Sequence, residues 1–198
     1  MPAFTIADFE CLDVIQTNIV PDFSLWPHEL IEYIASNTII KNFQEDMYPG
    51  GIGNDSTHIR LVIGEFVAPP DGTWVTLGFE WTFPFARIFV VQPWMCDPTH
   101  AKVYRVHNHL YQKHVDPTAV LKRALELTGT PYNALQLLGI GLGIRNLQFS
   151  GKSEVCSPGA RREVEDFTGI KPLFPEVDQW RTPPASFSNH PSILERMN

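Results

Sequence analysis

The chain is short of what a disulfide-stapled, membrane-spanning or nucleic-acid-wrapping protein needs. Its three cysteines, Cys11, Cys96 and Cys156, are an odd number at irregular spacings, which implies neither a disulfide framework nor a zinc signature. A reducing compartment or a free working thiol fits better. Positive charge is in deficit: 15 Lys and Arg against 22 Asp and Glu leave a formal charge of −7, so the basic footprint for a nucleic acid or an anionic membrane is missing. The longest glycine-aliphatic stretch, Leu135 to Leu147, is too short for a bilayer core of about 30 Å and reads as a buried turn or helix. The N-terminus has no basic start and no long apolar run, so no secretory signal or transit peptide is expected. The expected settings are therefore the cytoplasm, delivery by a dedicated machine, or a virus particle. No internal repeat or low-complexity linker divides the chain.

What is present is enough apolar side chain for one core. With 43% hydrophobic and 12% aromatic residues, residues 1–198 are expected to form a single α+β domain. Cys11 to Gln16 reads as an opening strand and Pro27 to Ser36 as a short helix with Leu30, Ile31 and Ile34 on one face. Ile59, Leu61 and Ile63 alternate behind His58, and Val75, Leu77 and Phe79 alternate before Glu80, the period of strands buried on one face. Phe85 to Val91 is a nearly continuous apolar run suited to a central strand, and the sheet is expected to be mixed or mostly antiparallel. Asp116-Pro117 caps and opens a helix that should carry Val120, Leu121, Ala124 and Leu125 inward and stop at Gly129. From Pro172 on, prolines without periodicity predict an extended segment, 172–198, wrapping the surface.

The chemistry concentrates at Cys156. A thiol is a weak nucleophile until it ionises, and the first turn of a helix offers unpaired N–H groups and a positive dipole end that favour the anion. The run from Val155 to Gly169 places Cys156 at such an entrance, with Ser157 as a cap, Pro158 in the first turn and Gly169 as the stop. Cys156, Ala160, Val164 and Phe167 share one stripe, which turns the sulfur inward toward packed structure. The plain alternative is a buried cysteine serving as a small hydrophobe.

With these residues in view, the chain resembles a circularly permuted papain-like hydrolase of the NlpC-like superfamily, in which the histidine strand precedes the cysteine helix. Ser56-Thr-His58 and the strand behind it resemble the histidine strand. Trp74 to Glu80 resembles the next strand, which in relatives ends in a carboxylate. Ala101 to Arg105 resembles a later strand, Gly129-Thr-Pro-Tyr132 the turn and tyrosine ahead of the nucleophile, Cys156-Ser157 the nucleophile itself, and Thr182-Pro183-Pro184 with Ser188 to Pro191 the closing segment. The likeness runs from about Cys11 to Pro191. The resemblance implies a central, mostly antiparallel sheet packed against the nucleophile-bearing helix. Relatives commonly follow Cys-Ser with an acidic residue and aliphatics, where this chain has Pro158-Gly159-Ala160.

On that reading Cys156 attacks a carbonyl carbon, His58 holds and returns the proton, and Glu80 orients the imidazole. The backbone N–H of Cys156 is the natural oxyanion donor, and the resemblance implies a second hydrogen bond from Tyr132. The expected activity is a cofactor-free amidase or peptidase, with cell-wall peptides the substrate class the resemblance favours; some relatives act on lipid amides or esters instead. A catalytically inactive binding or structural module is the alternative from another class.

Each residue also has a bland reading. His58 can be a half-buried strand histidine, Glu80 a solvated strand end with Glu65 as its rival, and Tyr132 a core aromatic. Glu154, two residues before the thiol, would oppose its ionisation if close. His100, His107, His109 and His114 fit no compact metal motif and read as a hydrated loop. Gly139, Gly141 and Gly143 lack the lysine and strand-to-helix context of a phosphate loop. Cys11 and Cys96 read as structural.

Overall fold

The computed structural model describes residues 3–18, 38, 40–53, 55–68, 70–133, 135–137, 139 and 155–198. Six strands form one antiparallel sheet: β1 (Val14–Thr17), β2 (His58–Ala68), β3 (Thr73–Glu80), β4 (Arg87–Val90), β5 (Ala101–Val106) and β6 (Leu194–Arg196). Their spatial order is β4-β3-β2-β1-β5-β6. Between them lie the helices α1 (Lys41–Met47), α2 (Pro117–Leu127) and α3 (Cys156–Thr168). The fold class is α+β, as composition and pattern predict.

Alternation along the central strands separates two cores. Val14 of β1 faces both Leu61 of β2 and Tyr104 of β5, and these belong to the large core shared with Val120 and Ala124 of α2 and Ala160 and Val164 of α3. Their neighbours Ile15, Val62 and Val103 point to the other face, where Phe9 and Met95 cover them. A register shift between Val62 and Gly64 interrupts the pairing of β2 with β3. His58 to Val62 and Phe79 to Trp81 are thus covered closely, whereas the far end of the same hairpin leaves Val67 and Trp74 exposed.

The strand expected from Cys11 begins later, at Val14, because Leu12 turns the chain with φ +70°. The apolar run from Phe85 forms β4, but at the sheet's edge, with Phe85 and Val90 exposed. Its hydrophobicity matches a central strand, but among the described residues β4 pairs with β3 alone, and Phe85 just before it bridges to Pro131. Asp116 caps α2 as expected, accepting the Thr118 N–H at 2.9 Å, and Val120, Ala124 and Leu127 are its buried residues. Leu125, expected inside, is 59% exposed, since the buried stripe runs through Leu127 instead. The helix expected over Pro27 to Ser36 lies outside the described residues.

The C-terminal segment departs most from expectation. Residues 172–198 do not merely wrap the surface: Leu173, Phe174, Ala185 and Phe187 are fully enclosed, and the segment closes with β6. Buried polar groups of α3 hold it. Arg161 donates to Glu165 Oε1 (2.6 Å), to the carbonyls of Val177 (2.7 Å) and Phe174 (3.1 Å), and to Thr182 Oγ1 (3.1 Å). Glu165 in turn accepts the backbone N–H of Leu173 at 2.8 Å. A guanidinium with this many partners compensates for its own desolvation.

Candidate active site

Cys156 is the first residue of α3. Val155 is extended, with φ −92° and ψ 163°, and occupies the cap position with no side-chain cap. Ser157, expected as the cap, is the second residue of the helix and buried, its Oγ 3.6 Å from Cys156 Sγ. The helical ladder begins with the Gly159 N–H donating to the Val155 carbonyl at 3.1 Å. Pro158 has no N–H to offer, which leaves the backbone N–H groups of Cys156 and Ser157 as the donors at this end. At the other end Gly169 stops the helix as predicted, left-handed at φ +81°.

Two contacts fix this helix start from outside. Gln136 Oε1 accepts the Val155 N–H at 3.3 Å while Gln136 Nε2 donates to the Trp180 carbonyl at 3.1 Å. Trp81, directly after Glu80, lies on the first turn so closely that a Cβ on Gly159 would stand 2.8 Å from its ring atoms Cδ2 and Cε2. No larger side chain fits there.

His58 opens β2 and Glu80 ends β3, and the antiparallel register brings the strand ends together. Glu80 sits opposite Arg60, two residues after His58 and so on the same side of the strand. His58 Nε2 donates to Glu80 Oε2 at 2.9 Å, with both residues at 2% exposure or less. Arg60 Nε reaches the same oxygen at 2.6 Å and Arg87 Nε reaches Oε1 at 2.7 Å. His58 Nδ1 is buried and, among the described residues, outside ordinary hydrogen-bond geometry with any partner. The imidazole and the Cys156 sulfur nevertheless couple strongly through their charges.

The titrations follow from these neighbours. Burial pushes the Cys156 thiol up, but the neighbouring His58 charge, with Ser157 and the Ile59 N–H, brings it below the ordinary 9.0. Burial and Arg60 push His58 down; Cys156 and then Glu80 overcome both and raise it from 6.5 to about 9. Burial pushes Glu80 up, yet His58, Arg60 and Arg87 hold it far below the usual carboxylate range. The other thiols go the opposite way: burial raises Cys96 and, with Asp13, lifts Cys11 to about 12. The Cys156 thiol is thus shifted toward the thiolate and the His58 ring toward the imidazolium, with the Glu80 carboxylate behind it. Such a set can attack an electrophilic carbon and supply a proton to the departing group.

The remaining expectations divide. Tyr132 is buried in the core that contains Cys156, its ring 6.4 Å from that of Phe83 and its N–H donating to the Pro84 carbonyl at 2.9 Å. Glu65 is exposed and pairs with Thr76, well along β2 from His58, so Glu80 alone of the two carboxylates meets the imidazole. Glu154 lies outside the described residues, as do Gly141 and Gly143. His109 and His114 are exposed, His107 donates to the Pro191 carbonyl, and His100 pairs with Asp97. Among the described residues no group of three His, Cys, Asp or Glu side chains is placed to hold a metal ion, and no helix is long and apolar enough to cross a membrane. The sequence gives no role to Arg60, Arg87, Gln136 or Trp81, although its two-residue offset already sets Arg60 on the face of His58.

No protein-family model, no curated protein and no solved structure matches this chain.

Proposed function

We propose that the protein is a cysteine hydrolase that cleaves an amide bond through Cys156, His58 and Glu80. The observation that carries this reading is geometric: Cys156 opens a helix packed on β2, and the buried His58 that begins β2 has its Nε2 bound to Glu80 at 2.9 Å. The Cys156 thiolate attacks the carbonyl carbon, and the oxyanion is met by the Cys156 N–H, with Tyr132 as a second donor. As the C–N bond breaks, the His58 imidazolium gives its proton to the leaving nitrogen, leaving a thioester. Water then loses a proton to His58 and adds to the thioester, and the C–S bond breaks to return the thiolate and release the carboxylic acid, which ionises in solvent. Glu80 stays ionised throughout and stabilises the imidazolium. No cofactor enters. The likeness to the permuted papain-like hydrolases supports this order of residues, the detailed fold and cell-wall peptides as the substrate class.

A second reading, a binding or structural module that keeps this frame without turnover, draws on the burial of the site: Cys156 is 6% exposed and His58 1%.

Iodoacetamide alkylation of the full chain, read by peptide mass spectrometry across pH, separates the two. The hydrolase reading expects Cys156 to label well below pH 8, faster than Cys11 and Cys96, with His58→Ala abolishing the advantage. A Cys156 that labels no faster than an ordinary thiol in both proteins sinks it, as does a Cys156→Ala protein that keeps full activity on a cleaved amide.

A further inference from the structure

The Glu80 carboxylate does not serve His58 alone. Its Oε2 receives His58 Nε2 at 2.9 Å and Arg60 Nε at 2.6 Å, so two donors converge on one oxygen. Arg60 is itself held in place: its guanidinium also donates to Thr17 Oγ1 and lies over the Phe89 ring, 5.9 Å from the centroid. Thr17 is the β1 residue paired with His58, and Glu80 the β3 residue paired with Arg60. Three adjacent strands therefore build a clasp in which the histidine and the arginine share an acceptor.

We infer that Arg60 is a positioning residue that sets the proton affinity of His58, by holding the shared Glu80 oxygen and by placing a second cation beside the imidazole. A buried carboxylate acting alone binds an imidazolium proton tightly, and a proton held too tightly is a poor one to hand to a leaving group. Among the described residues, the charged groups facing His58 are Cys156 from α3, Glu80 from β3 and Arg60 from β2, with Arg87 of β4 acting through Glu80. Cys156 and Glu80 favour the charged ring; Arg60 opposes it. The catalytic meaning of this balance rests on the hydrolase reading, whereas the balance itself does not.

NMR titration of the His58 imidazole tests the inference in the full chain, comparing the parent with Arg60→Met and Arg60→Lys. Arg60→Met is expected to raise the His58 pKa by about one unit, and Arg60→Lys, which keeps the cation, to stay near the parent. The alkaline limb of Cys156 alkylation should move up with it. If Arg60 merely packs the strands, its loss loosens Glu80 and weakens the bond to His58. An unchanged or lowered His58 pKa in Arg60→Met overturns the inference. Should that variant not fold, Arg60→Gln removes the charge while keeping a polar side chain, and carries the same expectation. His58 titrates whether or not anything is hydrolysed, so an unreactive Cys156 would defeat the proposed function and still leave this result readable.

Discussion

Gln136 Oε1 accepts the backbone N–H of Val155 at 3.3 Å, one residue before the Cys156 thiol. The same side chain donates to the Trp180 carbonyl, so one buried amide joins the approach to α3 to the C-terminal segment. Gln136→Leu keeps the volume and removes both bonds. The unpaired Val155 N–H and Trp180 carbonyl should cost about 1–3 kcal/mol, read as a lower urea midpoint, and Cys156 alkylation near neutral pH should slow as the helix start loosens. An unchanged midpoint would mean that Trp81 alone seats the helix.

Stability should respond to pH through the thiol–imidazole pair. His58 is raised in the folded state, so its contribution is complete below pH 6.5 and is lost as pH rises through about 9. Cys156 is lowered, so its contribution is complete above 9.0 and is lost as pH falls through its folded pKa. Above 6.5 and above the folded pKa of Cys156, up to about 9, the two slopes cancel, because the folded ion pair and the unfolded neutral pair bind equal numbers of protons. The pair's share of the stability should therefore form a plateau that ends near pH 9. Urea denaturation from pH 5 to 10, parent against the His58→Ala/Cys156→Ala double variant, isolates that share; a difference curve without a plateau would show that the two groups do not exchange a proton on folding.

Gly159→Ala should destabilise the protein even though alanine favours a helix by about 1 kcal/mol over glycine. The added Cβ meets the enclosed Trp81 ring at 2.8 Å, and overpacking of this kind costs about 1–3 kcal/mol. In a Trp81→Leu background the same substitution should reverse sign and stabilise. Thermal denaturation of the four proteins forms a double-mutant cycle, and simple additivity would rule out the contact as the cause.

The parts of this fold legible in the sequence are those set by short-range chemistry. Asp116 caps a helix three turns long and Gly169 ends one because each acts within a few residues. His58 and Glu80 could be placed at strand ends because period-2 alternation marks the strands behind them. What escaped prediction depends on distant partners. Arg161 reads as a solvated helix residue until Phe174, Val177 and Thr182 supply their oxygens. Phe85 to Val91 reads as central because an apolar run states that a surface is covered but not how many strands flank it. Likewise, the deficit of turn-to-turn rhythm after Pro172 reads as exposure, although irregular backbone can be enclosed when buried side chains such as Arg161 satisfy its carbonyls.

The binding of residues 173–182 by Arg161 and Glu165 also orders events in time. Phe174, Val177 and Thr182, whose oxygens Arg161 binds, and Leu173, whose N–H Glu165 accepts, all lie later in the chain than Cys156. On the ribosome, Cys156 emerges before the carbonyls that Arg161 needs, so a partly made chain carries a thiol without its finished surroundings. The C-terminal side of α3 is completed late in synthesis, and a chain arrested short of Thr182 would carry Cys156 on a helix whose Arg161 still lacks part of its acceptors.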